Sequence, residues 1–268
     1  MRKISFIGAG NMGKAMLGGV IKSGIVKPEN IMVSDPYVPG LDLVKKEFDV
    51  NTTTDSKEAV EFGDVVIFAV KPNIIKKVMN DVKNTIGNDK IIISIAAAVS
   101  IEDLEAVIGE DKKIIRVMPN TPALVGEGMA AICKNSNISD KDLELACDIF
   151  NSFGKSEIVS ESLMDAVTGV SGSSPAYVFM FIEAMADAAV LTGMPRSQAY
   201  KFAAQSVYGA AKMVLETGKH PGELKDMVCS PGGTTIKAVE VLEENGMRNA
   251  VIKGQVACVE KSIDMAKK

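Results

Sequence analysis

"KISFIGAGNMGKAM" (residues 3–16) sets a short apolar run against three glycines and then a helix-forming stretch. Gly8, Gly10 and Gly13 stand in GxGxxG spacing, a pattern that is weak by itself because glycine is common. Here it closes a predicted strand and opens a predicted helix, and that context gives the spacing a mechanism. Gly8 permits the tight turn, Gly10 lets a pyrophosphate approach the backbone, and Gly13 lets helix and strand pack closely, with the phosphates at the helix N-terminus. The segment Gly8, Ala9, Gly10, Asn11, Met12 and Gly13 is therefore the expected dinucleotide-binding turn. The alternative is a glycine-rich connection that binds nothing.

Working outward, "NIMVSD", "DVVIFAV", "KIIISIA" and "KKIIRVM" are further continuous apolar runs, as expected for strands buried on both faces of a parallel sheet. Segments long enough for crossover helices separate most of them. "GMAAICK" and "SEIVS" add two strands around a helix near 139–153. Strand ends in such sheets face the ligand, which brings in Ala69, Val70, Lys71 and Pro72 after one strand and Ala97 after another. Asp35 lies 22 residues beyond Gly13, where a carboxylate can reach an adenosine ribose; it can equally start the turn at Pro36. A carboxylate there suits NADH and repels a 2′-phosphate, and Ser34–Gly40 holds no arginine to offset it.

After Ser160 the strand signals stop. "SPAYVFMFIEAMADAAVLTGM" is apolar almost all the way round, with Glu183 and Asp187 as one thin polar stripe. Helices of that kind need cover on every side. The cover is either a central position in one subunit or, the favoured reading, an intimate homodimer whose helical domains interlock. The expected architecture is α/β: an N-terminal Rossmann-type doubly wound sheet over residues 1–158, then an all-helical substrate-binding and dimerisation domain over 159–268.

Composition narrows the function. A net charge of −4 leaves no basic footprint for nucleic acid or an anionic membrane. No leader is visible and no 18 apolar residues run unbroken, so a cytoplasmic protein is expected. Four scattered cysteines read as free thiols in a reducing compartment. One histidine, His220 before Pro221, argues against a metal centre or a histidine-based triad.

Three stretches make the reading much more specific: "RVMPNTPALV" (116–125), "DAVTGVSGSSPAYVF" (165–179) and "HPGELKDMVCSPGGTTIKAVEVLE" (220–243). With the glycine turn they resemble pyrroline-5-carboxylate reductase over essentially the whole chain. The resemblance implies hydride transfer from NADPH or NADH to the cyclic imine 1-pyrroline-5-carboxylate, giving L-proline in the last step of proline biosynthesis. It implies that the 229–236 loop approaches the nicotinamide of a partner subunit, and that homodimers stack into rings such as decamers. Thr235 matches the family's proposed proton-donating threonine, and Glu161 a substrate-proximal acid, with an exposed surface glutamate as the alternative. Asn120, Thr168 and Ser173 fall on the nicotinamide side, with turn formation the other role for Asn120.

Local chemistry agrees for the signature loop. "SPGG" before a helix leaves backbone N–H groups free at its N-terminus, a ready carboxylate site, so Ser230, Gly233 and Thr234 are the substrate-binding candidates. Helix capping is the alternative for Thr234 and Thr235. Asp35 departs from relatives that place a 2′-phosphate-compatible residue there, which leaves NADPH against NADH open. A β-hydroxyacid dehydrogenase is the nearest rival, but "GVSGSSPAYVFMFIEAMADAA" lacks the lysine those enzymes use. A non-catalytic nucleotide-sensing subunit is the rival from another class.

Overall fold

The computed structural model describes residues 2–267. Through its first half the chain alternates strands and helices: β1 (Ile4–Ile7), α1 (Asn11–Ser23), β2 (Ile31–Ser34), α2 (Val38–Phe48), β3 (Asn51–Thr53), α3 (Ser56–Phe62), β4 (Val65–Phe68), α4 (Pro72–Val82), β5 (Ile91–Ser94), α5 (Ile101–Ile108), β6 (Lys113–Met118), β7 (Gly128–Lys134), α6 (Asp140–Asn151) and β8 (Gly154–Ile158). The strands form one eight-stranded sheet in the order β3-β2-β1-β4-β5-β6-β7-β8. All residues of β1, β2, β4 and β5 are buried, because helices cover both faces of a parallel sheet. Two apolar cores follow, one on each face, around Phe6, Leu17 and Phe150 and around Phe68, Met79 and Leu104.

Two features depart from the expected sheet. β3 is absent from the sequence reading because "NTT" is a three-residue polar edge strand that carries no apolar run. β7 pairs antiparallel with β6, and β8 then pairs parallel with β7. The chain between β6 and β7 holds only a short 3-10 turn, Thr121–Val125, too little for the crossover that a parallel partner requires.

The second half is helical: α7 (Met164–Val167), a π turn (Thr168–Gly172), α8 (Ser174–Leu191), α9 (Arg196–Thr217), α10 (Pro221–Val228), α11 (Thr234–Glu244) and α12 (Met247–Ala266). Packing divides the chain into two compact units at Ser173/Ser174, not at 158/159, and the chain from Cys258 onward rejoins the first unit. The residues 159–173 stay with the first unit because side chains tie them there: Glu161 to Arg116 and Ser171 to Asn120 on the sheet side, and Asp165 to Ser262 in the returning end of α12. In the second unit, α8 packs on α9. Only Ala186 of α8 is buried, and none of α11, so Phe179, Met180, Phe202 and Leu215 lie exposed in the single chain.

The end of the sheet where β1 and β6 begin is fastened by Asp142. Its side chain is 4% exposed and accepts from Lys113 Nζ at 2.9 Å and from the two terminal Arg2 guanidinium nitrogens at 3.2 Å. Ser139 Oγ donates to it at 2.8 Å while capping α6 through the Asp142 N–H. Burial by itself would raise the carboxyl; the hydrogen bonds from Lys113, Ser139 and Arg2 outweigh it and hold the pKa at about 2. A depressed carboxyl contributes stability that is complete above its unfolded value and is lost as pH falls through the folded one. Asp142→Asn is expected to cost about 1–3 kcal/mol at neutral pH, and the deficit should shrink between about pH 4 and pH 2, as urea denaturation across that range would measure.

Candidate active site

Strand order places a topological switch between β1 and β4, where ligands of such sheets bind. The turn after β1 meets the turn after β4 there, backbone to backbone. Gly8 has φ 112°, and a Cβ on it would lie 2.6 Å from the Ala69 carbonyl oxygen. A Cβ on Gly13 would lie 2.6 Å from the Gly8 oxygen, whereas one on Gly10 would meet nothing within 4 Å. Two glycines are thus filled by neighbours and the middle one opens on free space. Gly10 is the N-cap of α1 and no side chain caps it, which leaves first-turn N–H groups of Asn11, Met12 and Gly13 facing that space. These residues fit a dinucleotide pyrophosphate.

Asp35 stands at the end of β2 with both oxygens engaged. Oδ2 accepts from the Ala9 N–H at 2.8 Å and Oδ1 from the Tyr37 N–H at 2.9 Å. It therefore braces the glycine turn and starts the turn at Pro36, and each oxygen keeps a lone pair for a ribose hydroxyl. The turn reading of Asp35 is seen directly in these bonds, and they leave acceptor capacity for the ribose reading. Lys45 and Lys46 lie in the last turn of α2, far along the next element.

After β4, Ala69 and Val70 are half-buried and Lys71 is exposed, N-capping α4 ahead of Pro72. After β5, Ala97 and Ala98 are half-buried, and Ala98 has φ 58°. An alanine in that left-handed region costs about 1 kcal/mol and persists only where its surroundings hold it. Asn120 is 9% exposed and internally satisfied: its Nδ2 donates to Ser171 O and Oγ, and its Oδ1 accepts from the Met129 N–H. The structure gives Asn120 the role of a strut between loops. Thr168 donates to Met164 O and Ser173 contacts Cys258 Sγ. Glu161 lies against Arg116 and the start of α5.

In the second unit, the turn Ser230–Gly233 closes through the Gly233 N–H to Ser230 O at 3.0 Å, with Gly232 at φ 65°. Gly233 is the N-cap of α11, and no side chain caps the helix. Thr234 and Thr235 occupy its first two positions, so neither is the N-cap. The helix start is bare of side-chain acceptors, as the sequence suggested.

Arg116 has no role in the sequence reading, although a signal was available. It is the one charge inside the buried run of β6, and a charge there needs a partner. Its neighbour Cys133 shows the same polarity: burial first, then the Glu161 charge, pushes the thiol up to about 12, so it is no nucleophile at neutral pH.

Sheet order, switch point and glycine turn define a Rossmann-type dinucleotide-binding domain joined to a helical one. Residues 3–98 match the model of the coenzyme F420-dependent NADP oxidoreductases, and residues 161–265 match that of pyrroline-5-carboxylate reductase dimerisation. The chain is 53% identical over 266 residues to the pyrroline-5-carboxylate reductase of Escherichia coli K12, covering 99% of both. It is 49% identical to that of Methanosarcina acetivorans, covering 100% of this chain and 99% of the relative. The crystal structure of Plasmodium falciparum pyrroline carboxylate reductase with NADP bound superposes with a TM-score of 0.90 at 36% identity, covering 99% of this chain and 98% of the other. The chain belongs to the pyrroline-5-carboxylate reductase family.

Proposed function

We propose that the chain reduces 1-pyrroline-5-carboxylate to L-proline with NADPH or NADH. The observation that carries this reading is the uncapped N-terminus of α11 behind the Ser230–Gly233 turn, in a chain of this family. A bound nicotinamide would supply the hydride for the imine carbon, and a proton would be needed at the ring nitrogen. The backbone N–H groups at the start of α11, with Ser230, Gly233 and Thr234, hold the substrate carboxylate. The Thr235 hydroxyl orients the ring nitrogen by a hydrogen bond and relays a proton from water, being too weak an acid to supply one itself. The glycine turn at residues 8–13 takes the pyrophosphate, and the 69–72 and 95–100 loops flank the cofactor.

Assembly follows from what the helical unit leaves uncovered. The stretch Glu161–Leu191 is apolar and long enough, by length and composition, to cross a membrane. The dimerisation model spans the same residues, so a second copy of the chain is our choice of cover. Interlocked helical domains bury Phe179, Met180 and Phe202, and further stacking of dimers gives a ring. Light scattering of the dilute protein should show a dimer or a multiple of it; a folded, active monomer overturns this assembly.

Steady-state turnover of pyrroline carboxylate with each nucleotide tests the reaction itself. Thr235→Ala should lower kcat by about 10–10³-fold with nucleotide affinity unchanged; an unchanged kcat removes Thr235 from the chemistry. Asp35 makes NADH at least comparable to NADPH, since a 2′-phosphate would bring about two negative charges against it. Asp35→Ser should shift kcat/KM toward NADPH about tenfold, or ~1.4 kcal/mol. A parent that strongly prefers NADPH, with a variant that keeps the ratio, reduces Asp35 to a turn residue.

A further inference from the structure

One oxygen of Glu161 holds two donors at once. Oε1 accepts from the Ile101 N–H at 2.7 Å and from Arg116 NH1 at 2.9 Å. Ile101 is the first residue of α5, so a carboxylate there satisfies one orphan N–H and lies at the positive end of the helix. The Arg116 side chain is only 11% exposed. It springs from the strand position paired with Ser94, the last residue of β5, directly beside the start of the 95–100 loop.

The same end of the loop is fastened a second time. Ser100 and Asp103 form a reciprocal capping box, with Ser100 Oγ accepting from the Asp103 N–H and Asp103 Oδ2 accepting from the Ser100 N–H. Lys76 Nζ reaches Asp103 Oδ1 at 2.5 Å, and Lys76 stands one turn into α4, the helix that begins at Pro72. The helices that follow the two loops proposed to flank the cofactor are therefore tied to each other. Two residues before these anchors Ala98 keeps its left-handed backbone. A strained residue next to such clamps marks a loop whose shape is imposed from outside.

We propose that Glu161 is a positioning residue, which with Arg116 clamps the start of α5 and so holds the 95–100 loop in the shape that receives the nicotinamide cofactor. It acts through the loop and not on the imine, which replaces the substrate-proximal role implied by resemblance. The inference rests on the reductase reading for the identity of the cofactor, but not for the clamp.

Three variants test it: Glu161→Ala, Arg116→Met and Glu161→Gln, the last keeping an acceptor for the Ile101 N–H. In the cofactor-free protein, Glu161→Ala should speed amide hydrogen exchange over residues 97–101 at least tenfold. NADPH and NADH dissociation constants, measured by nucleotide fluorescence without imine, should rise about tenfold, equivalent to ~1.4 kcal/mol. The imine KM at saturating nucleotide should stay within twofold, and Glu161→Gln should recover much of the nucleotide affinity. Arg116→Met should resemble Glu161→Ala. A raised imine KM with unchanged nucleotide affinity overturns the proposal in favour of direct substrate contact. A lowered melting temperature without faster exchange at 97–101 or weaker nucleotide binding also overturns it. A parent chain that binds neither nucleotide removes the reductase assignment instead, while the exchange measurement still decides whether Glu161 holds the loop.

Discussion

The contact between Gly8 and the carbonyl of Ala69 is the constraint on which the ligand end of the sheet depends. A side chain on Gly8 would need both a forbidden backbone angle and the space already filled by that oxygen. With no side chain, the turns after β1 and β4 close on each other. Gly10, one step along, is left facing open space. Close packing at one glycine thus creates room at the next, and Asp35 fixes the result through the Ala9 N–H. The cofactor end of the protein is built from backbone first and side chains second.

Much of this was legible in the sequence because burial on both faces forces continuous apolar runs, and six of the eight strands follow their apolar runs into the main body of the sheet or its extension. A seventh, "SEIVS", was legible although β8 is largely polar. β3 was not, since a polar edge strand is specified by its neighbours and not by its own residues. The reversed direction of β7 was readable in principle from the short link before it. The boundary at residue 158 followed the end of strand signals, whereas packing follows side-chain ties that sequence spacing does not reveal, such as Asn120 to Ser171.

The site residues divide in the same way. Glycine spacing and the bare start of α11 are backbone properties, and the sequence carries them directly. Glu161, Asn120 and Arg116 take their roles from partners 45 or 51 positions away. No local pattern encodes such pairs. In the helical unit the excess of apolar surface was plain from composition, and its exposure on α8, α9 and α11 is the same fact seen in three dimensions.

The position of β1 has a consequence for how the chain assembles as it is made. β1, the earliest of the eight strands in chain order, lies inside the sheet, with β2 on one side and β4 on the other. Growth of this sheet therefore proceeds outward from β1 in both directions, each new strand meeting an edge already in place. The side that finishes first ends on "NTT", too short and too polar to recruit another chain. The other side stays open until β8, whose residues are again largely exposed and polar. Arg2 waits longest: its carboxylate partner is 140 residues away, so the ion pair beside β1 forms only when α6 has been synthesised.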